Sequence, residues 1–366
     1  MRLMGIDRRR AILALVATAT AGLFPRWSNA EASDRPVLLT SAARVQGGYV
    51  AAGLTNIGTV AWTLALPKRG HGGAVNAQGD LAVIFARRPR RFAVAMDPRT
   101  GRKIAEFETP QGRHFQGHGI FDAQDRILIA TENAYEEERG VLGLYDAADG
   151  FRRIGEWDAG GLDPHDLVPI QGGRRIAVTL GGILTHPDYP RAKLNLDDMR
   201  PGLSILDMDG RIVSLHNPEP EYAQLSIRHL AEAPDGAVWF GCQYEGDGRD
   251  SVPLLGVVQP GIDGVSWVRP KPQAEQGLRQ YVGSVAACRD TGLVAISSPR
   301  GGHCLIFDAA SRALVADWPV GDVCGLAARG ADLLASDGQG RLWRGGKEIA
   351  AAPDLRFDNH MVALPG

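Results

Sequence analysis

One feature constrains this chain more than any other: a short unit that recurs along its length. Four apolar segments end in aspartate, namely Val94-Ala95-Met96-Asp97, Gly143-Leu144-Tyr145-Asp146, Ser204-Ile205-Leu206-Asp207 and Leu305-Ile306-Phe307-Asp308. The first three run into Pro98-Arg99-Thr100-Gly101, Ala147-Ala148-Asp149-Gly150 and Met208-Asp209-Gly210. An aspartate that bonds its own backbone, followed by a glycine tolerant of positive φ, is the chemistry of a hairpin turn. The segments beyond the turns, such as 103–107 and 154–157, alternate apolar and polar residues as half-buried strands do.

Aligned on their first strands, the units start at His71, His118, His165, His229, Ser284, Gly325 and His360. The first two intervals are both 47 residues, an insertion around 183–200 lengthens the third, and the sixth unit is short. Seven units in the residues after position 30 leave 48 each, matching the ~40–50 of a four-stranded propeller blade. Only one strand follows His360. Three more, at 37–39, 49–52 and 60–64, stand at the other end of the chain. Residues 31–366 are therefore expected to form an all-β, seven-bladed β-propeller, closed by N-terminal strands pairing with the C-terminal strand. No stretch has the sustained helical periodicity of an α/β alternative.

Residues 1–30 read as an address. Arg8-Arg9-Arg10 precedes the apolar run Ala11–Phe24, and Ser28-Asn29-Ala30 offers a small-x-small cleavage step. The run is shorter than the ~20 residues of a membrane-spanning helix, so it predicts a cleaved signal peptide. Paired arginines favour twin-arginine translocation, although Ala11 stands where that signal usually carries Phe. The expected location is the periplasm. Without residues 1–30 the formal charge falls from −2 to −6. A chain so balanced, without basic tracts, is a poor nucleic-acid ligand, and no later segment predicts a membrane span. Cys242, Cys288, Cys304 and Cys324 form no CxxC pair. They read equally as one or two disulfides or as small buried side chains.

In such a blade the start of the first strand and the loop between strands two and three share one face, and first strands line the channel. His71, His118, His165, His229 and His360 should then converge at one mouth, with Asp166 beside His165 and Arg228 beside His229. Three readings of these imidazoles stand open. One is structural, since Gly70-His71 and Gly117-His118 match the Gly-His step of WD-type propellers. The second is capture of a ligand, for which all five with Asp166 and Arg228 are candidates, or of a transition metal, for which His118, His165, His229 and His360 are. The third is acid–base catalysis. The loops on the same face are polar. The run Arg87–Arg91 reads as a solvated rim, whereas Arg300 and the insertion with His186, Arg191 and Lys193 read as ligand-binding. No GxSxG, P-loop or CxxCH motif is present. The sequence thus leans towards binding a partner protein or small ligand; the alternative is a metal-dependent or redox-type propeller enzyme using the channel-mouth histidines.

Several segments occur together and in order: Gly112-Arg113-His114-Phe115-Gln116-Gly117-His118-Gly119, Thr185-His186-Pro187, Lys193-Leu194-Asn195-Leu196, Leu225-Ser226-Ile227-Arg228-His229-Leu230-Ala231, Ser298-Pro299-Arg300-Gly301-Gly302, Asp322-Val323-Cys324-Gly325 and Asp358-Asn359-His360. Together they resemble the exported bacterial proteins of domain-of-unknown-function family 1513, over nearly the whole chain after position 30. The resemblance implies a propeller of the quinoprotein amine dehydrogenase or YVTN type. It also implies company with imelysin-like, iron-regulated periplasmic proteins, hence a role in iron acquisition. It brings no established activity or cofactor.

Overall fold

The structure, a computed structural model, describes residues 35–189 and 192–365. Residues 1–30, where the sequence predicts a signal peptide, and Arg191 lie outside the described residues. Each repeat unit forms a four-stranded antiparallel sheet, and there are seven. Their innermost strands are Gly70–Val75, Arg113–Phe121, Pro164–Ile170, Leu225–Glu232, Ser284–Cys288, Val323–Arg329 and Leu355–Ala363. Each contacts the next around a ring, and the last contacts the first. These are blades one to seven.

The turn chemistry forms as expected. The side chains of Asp97, Asp146, Asp207 and Asp308 accept from backbone N–H groups two or three residues on, at 2.8–3.0 Å. Outermost strands such as Val60–Leu66 and Leu314–Pro319 alternate exposed and covered residues, because only one of their faces meets a neighbouring blade. Inner strands are covered on both faces, and their runs are continuously apolar: Ala82–Ala86 and Phe92–Met96 are wholly buried. Between blades one and two, Phe85, Phe107, Phe115, Tyr145 and Phe151 form an aromatic cluster, with Phe107 and Phe151 stacked at 4.6 Å. Burying side chains of this size contributes roughly 2–3 kcal/mol each.

Closure follows the expected pairing. Leu355–Ala363 is the innermost strand of blade seven and pairs antiparallel with Pro36–Arg44, in the register Leu38↔Ala363, Leu39↔Val362 and Thr40↔Met361. The sheet continues outward through Tyr49–Thr55 and Val60–Leu66. The four cysteines are all buried free thiols. Burial pushes the Cys324 thiol up to about 12, so it is an inert core residue. Among the described residues, no helix is long and apolar enough to cross a membrane.

Candidate metal centre

Every histidine singled out at a strand start sits at a defect in its strand. Pairing slips between Gly70 and Gly73, Phe115 and Gly119, Pro164 and Leu167, and Ile227 and His229. It slips again around His360, where Met361 and Phe357 are successive partners of Thr40 and Ala42. A bulge leaves its extra residue out of the ladder and re-aims the side chain. Here it leaves His71, His118, His165 and His360 out of the ladder, whereas in blade four Arg228 is left out and His229 still pairs with Gly241. The backbone carbonyls so freed are caught from neighbouring strands: Ser41 Oγ donates to His71 O at 2.9 Å, Thr179 Oγ1 to Arg228 O at 2.7 Å, and Thr40 Oγ1 to His360 O at 2.7 Å. Hydroxyls thus link the backbones of neighbouring blades, and the imidazoles add side-chain contacts of their own between blades. The His71 and His118 rings of the two Gly-His steps do bond carboxylates of neighbouring blades, as the structural reading expects. Gly117 is needed for another reason: its φ is +110°, and a Cβ there would lie 2.5 Å from the His71 ring.

All five imidazoles are buried, and they pack into one cluster. Ring centroids lie 4.4 Å apart for His71–His360, 4.5 Å for His118–His360, 4.6 Å for His229–His360 and 4.8 Å for His165–His229. Carboxylates back three of them. His71 Nδ1 is 2.9 Å from Asp358 Oδ1, and a single carboxylate, Asp166, stands 3.1 Å from His118 Nδ1 and 3.4 Å from His229 Nδ1. Donating Nδ1–H to a carboxylate leaves the Nε2 lone pair free and aimed away from it, which is how metal-ligating histidines are held. His71 Nε2 and His360 Nε2 are 3.2 Å apart. Two ligands on one ion at Zn–N distances are separated by about 3.3 Å. His118 Nε2 is buried with no hydrogen-bond partner.

Two overlapping trios, His71–His118–His165 and His118–His229–His360, each bring one ligand atom per residue within 4.8 Å of one another. Nitrogens on opposite sides of an ion are ~4.2 Å apart, so small ring rotations close either trio. Chemistry separates them. Arg228 Nη1 lies 3.3 Å from His165 Nδ1. A guanidinium only donates, so His165 accepts there and carries its proton on Nε2. His118, His229 and His360, joined by His71, are the set with lone pairs to share.

Burial lowers His71 to about 3, against the pull of Asp358. Burial first, and then the charges of Arg228 or of neighbouring imidazoles, hold His165 and His360 well below the usual value. His229 is lowered by burial, partly opposed by Asp166. These four rings are thus neutral near pH 7. Burial alone would raise Asp166 and Asp358. Contacts from His118 and His229 on the one, and from His71, Arg87 and Arg69 on the other, outweigh it and hold both carboxyls well below the ordinary range.

Behind this shell, at the strand-start face, lies a layer of ion pairs. Asp163 accepts from Gln116 Nε2 at 2.8 Å and is 2.7 Å from Arg228 and 3.4 Å from Arg88. Arg69 and Arg87 reach Asp358 at 2.6 and 3.6 Å. Arg87 and Arg88 therefore reach into the site's wall, with side chains still 37% and 33% exposed at the rim. Asp163 and Asp358 carry more of the site than their sequence position beside a histidine revealed, and Gln116 gave no signal of its own. On the opposite side the channel is a cavity of about 420 Å³, with His118, His360 and Asp166 at its inner end.

The structure unites His71, His118, His165, His229, His360, Asp166 and Arg228. The other sequence candidates stand apart from them. His186 packs near Tyr135 and lies 3.8 Å from Glu136; Lys193 pairs with Glu245; Arg300 covers the Tyr281 ring at 4.3 Å. They tie the insertion and loops to the rim of the strand-start face.

The fold and site define a seven-bladed propeller with an imidazole-lined channel. The chain belongs to the family described as "protein of unknown function (DUF1513)", whose model matches residues 64–364. No curated protein matches it significantly. Among solved structures it is similar to hydrazine synthase of Kuenenia stuttgartiensis, at 11% identity and TM-score 0.59 over 86% of this chain and 96% of that one. At that identity the likeness is one of fold.

Proposed function

We propose that the channel binds one divalent transition-metal ion through His71, His118, His229 and His360, and that the protein works as a metal-binding propeller after export on its residues 1–30. One observation carries this reading: the Nε2 of His118 is buried without a partner, beside rings whose Nδ1 atoms are backed by Asp166 and Asp358. A buried polar atom left unpaired costs about 1–3 kcal/mol, and an ion bound there removes that cost for His118. The donor set is all imidazole, with no thiolate and with carboxylates behind the rings. That favours Cu, Zn, Ni or Fe over Mg, Ca or Mn. A role in iron acquisition corresponds to Fe(II) as the resident ion.

The test is elemental analysis of the full chain, purified without chelators and then reconstituted anaerobically with Fe(II), Ni(II), Cu(II) or Zn(II). We expect about one ion per chain, and loss of at least ~100-fold in affinity in His118→Ala/His360→Ala. Circular dichroism should show the variant folded. A wild-type chain that retains none of the four ions sinks the reading.

A further inference from the structure

Resting on that metal reading, we infer that the ion keeps a coordination position open to the channel. A small linear molecule or anion of two or three atoms enters from the far mouth and binds there, accepting a hydrogen bond from His165 Nε2–H.

The two ends of the channel differ. At the strand-start end the buried Asp163–Arg228 pair, with Gln116 and Arg88, closes over the rings. At the other end the cavity runs along the innermost strands past Gly72, Gly73, Ala74, Ala286 and Ala327. The last residues before the far face, among them Val75, Ile120, Val168, Ala287 and Ala328, are only half-buried, so this mouth is open. A volume of about 420 Å³ exceeds several times the ~30 Å³ a water occupies in the liquid. The wall offers neither charge nor side-chain hydrogen-bonding groups before Asp166 and the imidazoles. A passage of this kind admits small, weakly hydrated species and selects against large or multiply charged ones.

His165 gives the inner end its selectivity. Because Arg228 donates to its Nδ1, the ring presents Nε2–H and cannot share a lone pair there. Among the described residues no side chain accepts from that N–H. The ring stands 4.8 Å from His229 and 5.2 Å from His118, centroid to centroid. It can therefore donate to an atom bound at an ion those two hold. Cu(II), Ni(II), Co(II) and Fe(II) accept a fifth or sixth ligand beyond four imidazoles, whereas a purely structural ion would be closed.

The probe is azide, added to full chain loaded with Co(II) or Cu(II) and followed by visible absorption and stopped-flow mixing. Metal content is measured first on every sample. We expect a saturable azide-dependent band in wild type. Ala328→Trp, or Val168→Trp if the first is poorly folded, should slow association on the order of tenfold by narrowing the mouth. His165→Phe, compared at full metal loading, should weaken azide about tenfold through the lost donor. A stoichiometrically loaded wild type with no azide response, or mouth variants that associate as fast as wild type, overturns the inference and leaves the metal reading standing. A chain that takes up no metal overturns both.

Discussion

Blades five and six occupy the same ring as the other five, yet they place Ser284 and Cys324-Gly325 where the others place histidine. Blade six keeps the bulge, between Val323 and Leu326, and blade five pairs without one. Ser297 Oγ donates to Cys324 O at 2.6 Å, as Ser41 Oγ does to His71 O at 2.9 Å. The hydroxyl bridge therefore forms with or without an imidazole. What distinguishes the five-histidine arc is that its carboxylates meet imidazoles: Asp166 faces His118 and His229 and Asp358 faces His71, whereas Asp322 of blade six, placed before Cys324 as Asp163 is before His165, precedes no ring. A propeller closes without this chemistry, so the chemistry is additional to the fold.

The largest break of that comparison comes from those carboxylates. Asp166→Asn keeps shape but exchanges a carboxylate for an amide facing both His118 and His229. Metal affinity should fall about 10- to 100-fold, read by competition with a chromophoric chelator. Ser284→Ala, at the equivalent start of blade five, should leave affinity unchanged. Equal effects from the two would mean that the arc is not special.

Next in size is the shared bridge. Ser41→Ala and Ser297→Ala each leave a buried carbonyl without its donor, at a cost of about 1–2 kcal/mol. Thermal or denaturant unfolding should report similar losses for both. Only Ser41→Ala should also weaken metal binding, because the carbonyl it holds belongs to His71. If Ser297→Ala proved harmless to stability, the hydroxyl bridge would be a device of the histidine arc alone.

Much of this was legible in the chain. Asp-turn-Gly punctuation and strand alternation are local chemistry that reveals the repeat, and the alignment of first strands counts seven blades. The orphan strand after His360 betrayed the closure. Convergence of the histidines followed from topology, since first strands line the channel. Bulges were not legible, because Gly72, Gly117 and Gly325 are explained only by what approaches them from other blades. Nor was the division of labour among rings. His165 differs from His118 through Arg228, and the sequence places Arg228 beside His229. Arg88 looked like rim because its partner, Asp163, lies two blades away.

The smallest effect lies outside the cluster and tests whether burial alone explains the neutral rings. His114 is buried, donates Nδ1–H to Phe115 O at 3.0 Å and accepts at Nε2 from Asn133 Nδ2 at 3.2 Å. Burial first holds it below its ordinary 6.5, with Arg88 adding to the effect against the Phe115 bond and Asp163. Its folded-state value is depressed, so as pH falls below 6.5 the unfolded chain takes up a proton that the folded ring refuses. Stability is full above that pH and is lost below it, by at most about 1.4 kcal/mol per pH unit for one group. His114→Gln lacks this proton. Between pH 7 and 5, unfolding of metal-free protein should therefore show a shallower loss of stability in the variant than in wild type. Parallel curves would show that His114 titrates alike in both states, and that burial beside the channel is not enough to keep an imidazole neutral.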